Sequence, residues 1–389
     1  PKQIVGIGCC GQSHGPTPLT KDGGPLAYCI THEDRRAVKQ GEWVRERGGS
    51  GSQVMTAVKL LWWKENRPDI FNKAYKFLVP KDVITQKLTG VFSTDPTDAV
   101  YTDIFDFENQ VWSDRLLEAY GIPKEKLPEI HQPWEVKGWL VEKAAQETGL
   151  REGTPVVTGG ADWACTRYGA GFIKPGRVVD MTGTTGGITI ALPRTGPKTE
   201  FWGVAIVPTI RMMGGGSSQE GAGNMLRWFR DELGFTEEFI SEKTGIDAYA
   251  LMDMEAEKIE PGPGSIIVVP NFVGGTGPGS KYGVLFGVTV ETRRAQIIRA
   301  LMEALAYQIR LGLDEAREKG IDVKEVWAIG GGGKSRVWRQ IKAEIMNVPY
   351  CRINVDEGGC FGVAVLAGVG VGIYKDLVSP IDTMVKAIE

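Results

Sequence analysis

Residues 158–187, TGGADWACTRYGAGFIKPGRVVDMTGTTGG, constrain this chain more than any other stretch. An apolar run, Pro155-Val156-Val157, ends behind Gly159 and Gly160, and Asp162 follows. A second run, residues 177–181, turns back through Gly183-Thr184-Thr185-Gly186 into a third at 188–192. All three runs read as strands. Glycine takes φ > 0 and lets backbone approach closely, so a carboxylate on a Gly-Gly turn can meet a substrate. The GTTG turn offers clustered N–H groups and two hydroxyls, which phosphate oxygens and a hydrated Mg²⁺ favour. Each feature has a plainer account: Asp beside Gly commonly bonds its own backbone, and most Gly-rich hairpin turns bind nothing. A candidate base and a candidate phosphate cradle this close together point to phosphoryl transfer.

Two further glycine-rich strand ends strengthen that reading. Residues 329–338, IGGGGKSRVW, read as strand, glycine run and helix, a geometry that aims helix N-terminal amides at an anion or nucleotide. The spacing is not that of the GxxxxGK[ST] phosphate loop. Gly11-Gln12-Ser13-His14-Gly15 sits at the end of another expected strand, residues 3–8, where α/β folds carry ligands. Its polar trio suits hydrogen bonds to a polyol better than proton chemistry. Asp34-Arg35-Arg36 reads as a solvated charged face or a substrate contact, and Trp62-Trp63 as core packing.

Composition limits the alternatives. The chain has 389 residues, which favours two domains. Its 52 glycines are about twice the usual ~7% share and cluster beside strands rather than in a linker. A net charge of −3 argues against nucleic-acid or anionic-membrane partners. Six cysteines, Cys9 and Cys10 adjacent, do not form a disulfide framework, so reduced thiols and a cytoplasmic location are expected. No Cys or His pair has zinc-site spacing, so no protein-held metal cluster is expected. The longest apolar run, residues 360–374, is too short and glycine-rich for a membrane span.

Helices are expected at 53–66, 82–88 (ended by Gly90), 113–120 (Ser113 as N-cap, Gly121 after it) and 144–148. In the second half they are expected at 220–233, 240–256, 292–320 (capped by Thr292), 335–347 and 358–372. Residues 265–270 and 324–329 read as strands, and 274–279 as a loop. Alternating strands and helices in both halves predict two α/β domains, 1–164 and 165–389, joined near 163–175.

These motifs resemble the FGGY carbohydrate kinase family, over nearly the whole chain. VMTAVKLLWWKEN (54–66) and GVLFGVTVETRRAQIIRALME (283–303) are similar to its two signatures, with Val54, Trp63 and Leu301 as departures. GQSHG resembles the GQMHG segment of the family's D-xylulose-phosphorylating branch, with Ser13 in place of Met. TGGAD, TGTTG, AGNMLRW (222–228) and GGGGKS resemble the catalytic strand end, a phosphate loop, a nucleotide-contacting helix and the adenosine loop.

The resemblance implies a two-domain actin-like ATPase fold with ribonuclease-H-like cores and a ligand cleft between domains. It implies ATP and Mg²⁺ as cofactors and a small-molecule sugar as partner. Asp162 would be catalytic, Ser13, His14, Asp34 and Arg35 would bind sugar, and Gly183, Thr184, Thr185, Gly223, Arg227, Gly331, Gly332, Gly333 and Ser335 would bind nucleotide. Domain closure would exclude water from the transfer. The family's first strand with its Asp-x-Gly-Thr loop, and part of its C-terminal tail, are expected to lie outside this chain. That departure keeps a second account open, an inactive fragment or a subunit completed by another chain. Residues 219–389 also resemble the kinase of the autoinducer-2 signal. A sugar- or nucleotide-binding regulator on the same fold is the non-enzymatic alternative, with no basic patch to support it. The choice among ketoses and polyols, and the oligomeric state (a homodimer being one candidate), stay open.

Overall fold

A computed structural model describes residues 3–183, 186–195, 202–219, 222–261, 266–272 and 282–389. Two compact units make up the chain: residues 1–169, 203–208 and 357–384 form one, and 170–202, 209–356 and 385–389 the other. The sequence reading has instead a single contiguous boundary at 164/165. The chain returns to the first unit because the glycine-rich helix Gly358–Gly370 packs against the helix Asp162–Gly169 at backbone contact. A Cβ at Gly169 would fall 2.1 Å from the Gly358 carbonyl oxygen, and one at Gly362 would fall 2.2 Å from that of Cys165.

The first unit is built around the buried side chains of Val58, Leu60, Trp63, Ile104, Leu117 and Tyr120. Trp63 therefore packs in the core, as expected. Helices Thr56–Asn66, Pro80–Thr89, Asp114–Tyr120 and Glu142–Thr148 match the sequence expectations. Ser113 Oγ accepts the Leu116 N–H at 3.4 Å, and Gly90 and Gly121 end their helices in the left-handed region. The expected strand at 3–8 does not form. Ile7 alone makes a bridge, donating to Pro155 O and accepting from Val157 N, both at 2.9 Å. Extending this parallel ladder toward Val5 would require an amide hydrogen from residue 155, and proline has none. The strand that does form beside the glycine turn is Cys10–Gly11, parallel to Gly160–Ala161.

In the second unit, strands lie side by side in the order Ile210–Gln219, Gly186–Pro193, Val178–Met181, Val326–Ile329 and Tyr350–Arg352. The first three are antiparallel and sequential, with Val178 opposite Ile190. The last two join in parallel, Val178 opposite Val326 and Val326 opposite Tyr350. Parallel neighbours need long crossovers, supplied here in part by the helices Arg294–Glu318 and Arg336–Met346. The stripe Ile298, Leu301, Leu305 and Ile309 is fully buried against the sheet side of the core, as its helical spacing predicts.

Two boundaries differ from expectation. The helix expected over 240–256 is two helices, Phe235–Thr244 and Ala248–Ala256, because Gly245 turns left-handed and Asp247 caps the second. Thr292 is not the cap of the long helix. Its hydroxyl accepts Thr289 N–H at 2.8 Å, and Arg293 stands at the cap position with its N–H bonded to Gln296 Oε1 at 2.8 Å. The loop expected at 274–279 lies outside the described residues. All six cysteines are unpaired, and among the described residues no helix is long and apolar enough to cross a membrane.

Candidate functional site

In the first unit the functional geometry centres on Asp162, the first residue of the helix Asp162–Gly169. The approach to it requires glycine. Gly159 has φ +74°, and a Cβ there would lie 2.0 Å from the Cys9 carbonyl oxygen. Asp162 is solvent-accessible, and its Oδ1 accepts the Trp163 backbone N–H at 2.6 Å. Partial burial raises its carboxyl above the ordinary range, opposed by the Trp163 N–H and the charge of Arg167.

His14 and Ser13 are brought to the same neighbourhood. An aromatic chain links His14 to Tyr101 at 5.0 Å between ring centres and Tyr101 to Trp163 at 5.2 Å. Trp163 Nε1 donates to Ser13 Oγ at 3.2 Å. Burial, assisted by the charges of Lys59 and His32, lowers the His14 pKa to about 4. A neutral imidazole with an unpartnered buried Nδ1 can hydrogen-bond a hydroxyl. Asp34 behaves differently: Arg36 holds its carboxylate with Nε 2.9 Å from both oxygens. Arg35 is exposed. Both lie near enough to Lys59 to influence its ionisation, and Lys59, fully buried, donates to Thr31 O at 2.7 Å. Sequence reading missed Lys59 and Trp163, although both lie inside motif segments (54–66 and 158–187), and Tyr101, which carries no motif.

It also missed a buried charge cluster. Lys81 Nζ lies 2.5 Å from Asp82 Oδ1, 2.9 Å from Asp95 Oδ2 and 3.4 Å from Asp98 Oδ2. The three carboxylates come within 4.8 Å of one another, a spacing that could hold a cation. The Lys81 ammonium is the cation among them. Burial drives the Asp98 carboxyl well above its ordinary value and Asp82 to about 6.

In the second unit, three glycine-rich segments are laced together by their backbones. Thr182 O accepts Gly332 N–H at 2.9 Å, and Gly183 O accepts Gly223 N–H at 3.0 Å. A Cβ at Gly332 would meet Thr182 Cγ2 at 2.5 Å, so only glycine permits this approach. Gly330, at φ +87°, turns the chain out of the strand. Together these segments wall a cavity of about 500 Å³ lined by Gly183, Gly223, Arg227, Gly331, Gly332 and Ser335, six of the residues expected to contact nucleotide. Gly333 lies buried beneath it against Ala328. Thr184 and Thr185 lie outside the described residues. Such a volume suits a small ligand.

The remaining walls were not anticipated. Asp247 Oδ1 accepts Tyr249 and Ala250 N–H at 2.9 and 3.2 Å, which sets the helix Ala248–Ala256 along the cavity. Asp253 faces Ser335, whose Oγ also accepts Trp338 N–H at 2.9 Å and so caps the helix Arg336–Met346. Burial raises the Asp253 carboxyl. Arg227 and Lys334 supply positive charge at the cavity. The Asx cap at Asp247 was the one available signal for this wall, and a helix assigned straight through it concealed it.

Comparison with known proteins agrees with this architecture. Residues 1–169 match the N-terminal domain, and 181–371 the C-terminal domain, of the FGGY family of carbohydrate kinases. A xylulose kinase of Bacillus subtilis (strain 168) is 30% identical over 401 residues, covering 97% of this chain and 76% of that protein. An autoinducer-2 kinase of Enterobacter sp. (strain 638) is 28% identical over 405 residues, covering 98% of this chain and 76% of its own length. Its likeness thus extends well beyond residues 219–389. The crystal structure of a xylulose kinase from Rhodospirillum rubrum superposes with a TM-score of 0.84 at 25% identity, covering 99% of this chain and 79% of the other. The chain belongs to the FGGY family of carbohydrate kinases and has its actin-like ATPase fold.

Proposed function

We propose that this sugar kinase transfers the γ-phosphoryl group of ATP to a primary hydroxyl of a ketopentose, D-xylulose. The hydroxyl oxygen attacks the γ-phosphorus, Asp162 takes the hydroxyl proton, and ADP leaves. Little covalent work falls to the protein in such a loose transition state, so positioning and charge stabilisation dominate. Ser13, His14, Asp34 and Arg35 contact the sugar hydroxyls, with His14 acting as a neutral hydrogen-bonding group. Gly183, Thr184 and Thr185 hold the β- and γ-phosphates, and Gly223, Arg227, Gly331, Gly332 and Ser335 hold the adenosine side, with Gly333 buried beneath them. Gly183 has no side chain to exclude a triphosphate, and the two threonine hydroxyls would hold Mg²⁺. Mg²⁺ supplies neutralisation of phosphate charge.

The observation that carries the nucleotide half is the single cavity gathering Gly183, Gly223, Arg227, Gly331, Gly332 and Ser335 from three separate stretches. The sugar half is supported by the xylulose kinase relatives and the GQSHG segment. Kinases acting on the autoinducer-2 signal are similar to nearly the same degree, which keeps that molecule as the second reading. ATP consumption across D-xylulose, D-ribulose, glycerol, gluconate and the autoinducer-2 signal tests the choice. D-Xylulose should give the highest kcat/KM, and preference for any other acceptor overturns the assignment.

A further inference from the structure

The two residues flanking Asp162 are both held by hydroxyl groups, and one of these hangs from a buried ion cluster. On the N-terminal side, Ala161 N–H donates to Thr97 Oγ1 at 2.9 Å across 64 residues of sequence. The Thr97 hydroxyl in turn donates to Asp95 Oδ1, which also accepts Thr97 N–H at 2.8 Å. On the C-terminal side, Trp163 Nε1 donates to Ser13 Oγ at 3.2 Å. Asp95 and Asp98 both converge on Lys81 Nζ, with Asp82 as the third carboxylate. Lys81 Nζ also reaches Thr158 O, at the start of the Gly-Gly turn, at 3.4 Å.

Stability does not explain such a cluster. A lysine and three acidic side chains, none more than 2% exposed, carry a desolvation penalty of several kcal/mol for each group that is ionised. Well-packed apolar residues of the same volume would hold the fold at least as well. Ion pairs do offer fixed direction. Lys81 orients Asp95, Asp95 orients the Thr97 hydroxyl, and that hydroxyl fixes residue 161.

We propose that the cluster around Lys81 positions the Asp162 carboxylate for proton acceptance, with Thr97 as the arm that reaches it. Thr97 is thus a positioning residue that meets no substrate. This inference rests on the assignment of Asp162 as the proton acceptor.

Thr97→Val keeps the shape of the side chain but neither accepts from Ala161 nor donates to Asp95, whereas Thr97→Ser keeps the hydroxyl. Steady-state kinetics with ATP and D-xylulose, or the acceptor preferred in the panel above, should show kcat of Thr97→Val reduced on the order of 10- to 100-fold. KM for ATP should stay near that of the parent, and Thr97→Ser should recover most of kcat. A purely structural role would instead lower folded yield without this split, or leave Thr97→Ser as impaired as Thr97→Val. Either result, or parental kcat in Thr97→Val, overturns the proposal. If Thr97→Val does not fold, Thr97→Ala decides: it should lower kcat with KM for ATP unchanged, and parental kcat there rejects the cluster's role. Asp162→Asn measured in parallel separates the two claims. Full turnover in Asp162→Asn removes the proton acceptor itself, while an inert Asp162→Asn beside an undisturbed Thr97→Val removes only the anchoring.

Discussion

At His14 two demands meet in one residue. Its backbone sits at φ +64°, a region few non-glycine residues adopt, with Gly15 following at φ +81°. Its ring is packed against Tyr101 and kept neutral down to about pH 4, against an ordinary value of 6.5. The folded chain therefore stays unprotonated there while the unfolded chain takes up a proton. Stability should fall as pH drops from 6.5 to about 4, by up to about 3 kcal/mol, and then level off. His14→Asn, which tolerates the backbone angle, should flatten that part of the denaturation-versus-pH curve. An unchanged curve would mean that His14 is protonated in the folded chain. GQSHG made the residue visible in the sequence. Its neutrality was not visible, because it depends on Lys59 and His32 brought up from elsewhere in the chain.

Among the elements, the pairing of helices Asp162–Gly169 and Gly358–Gly370 matters most for the site. Glycines at 169, 358 and 362 let the two backbones touch, so the second helix acts as a wall behind the one that carries Asp162. Gly362→Ala puts a methyl group 2.2 Å from the Cys165 carbonyl oxygen, which forces the helices apart. A loss of about 1–3 kcal/mol is expected, read as a lower Tm together with reduced turnover. Unaltered melting and turnover would show that the helices have room between them. The close packing of 358–372 was readable from its small residues. Its partner was not, since a glycine stripe says nothing about which element it approaches. The strand at 3–8 was misjudged for a related reason: its ladder depends on Pro155, about 150 residues away, and proline cannot donate.

For the whole molecule, the sequence was most legible where function rests on backbone. Glycine loops at 159–160, 183 and 330–333 can be located from composition alone, and the structure gathers 183, 331 and 332 around one cavity. Least legible were groups that act through distant partners, such as Thr97 with Ala161 or Lys81 with Thr158, separated by 64 and 77 residues. The proposed transfer, unlike any single contact, draws on both the Asp162 carboxylate and the nucleotide cavity. Because burial raises the Asp162 carboxyl, the acid limb of the kcat–pH profile should lie above the ordinary carboxylate range, with activity rising as the group ionises. The most direct measurement is kcat for Asp162→Asn with ATP and the preferred acceptor, alongside calorimetric titration of both ligands. The account predicts a fall in kcat on the order of 10²–10⁴-fold, with ATP and sugar affinities close to those of the parent. Turnover within a few-fold of the parent would contradict it.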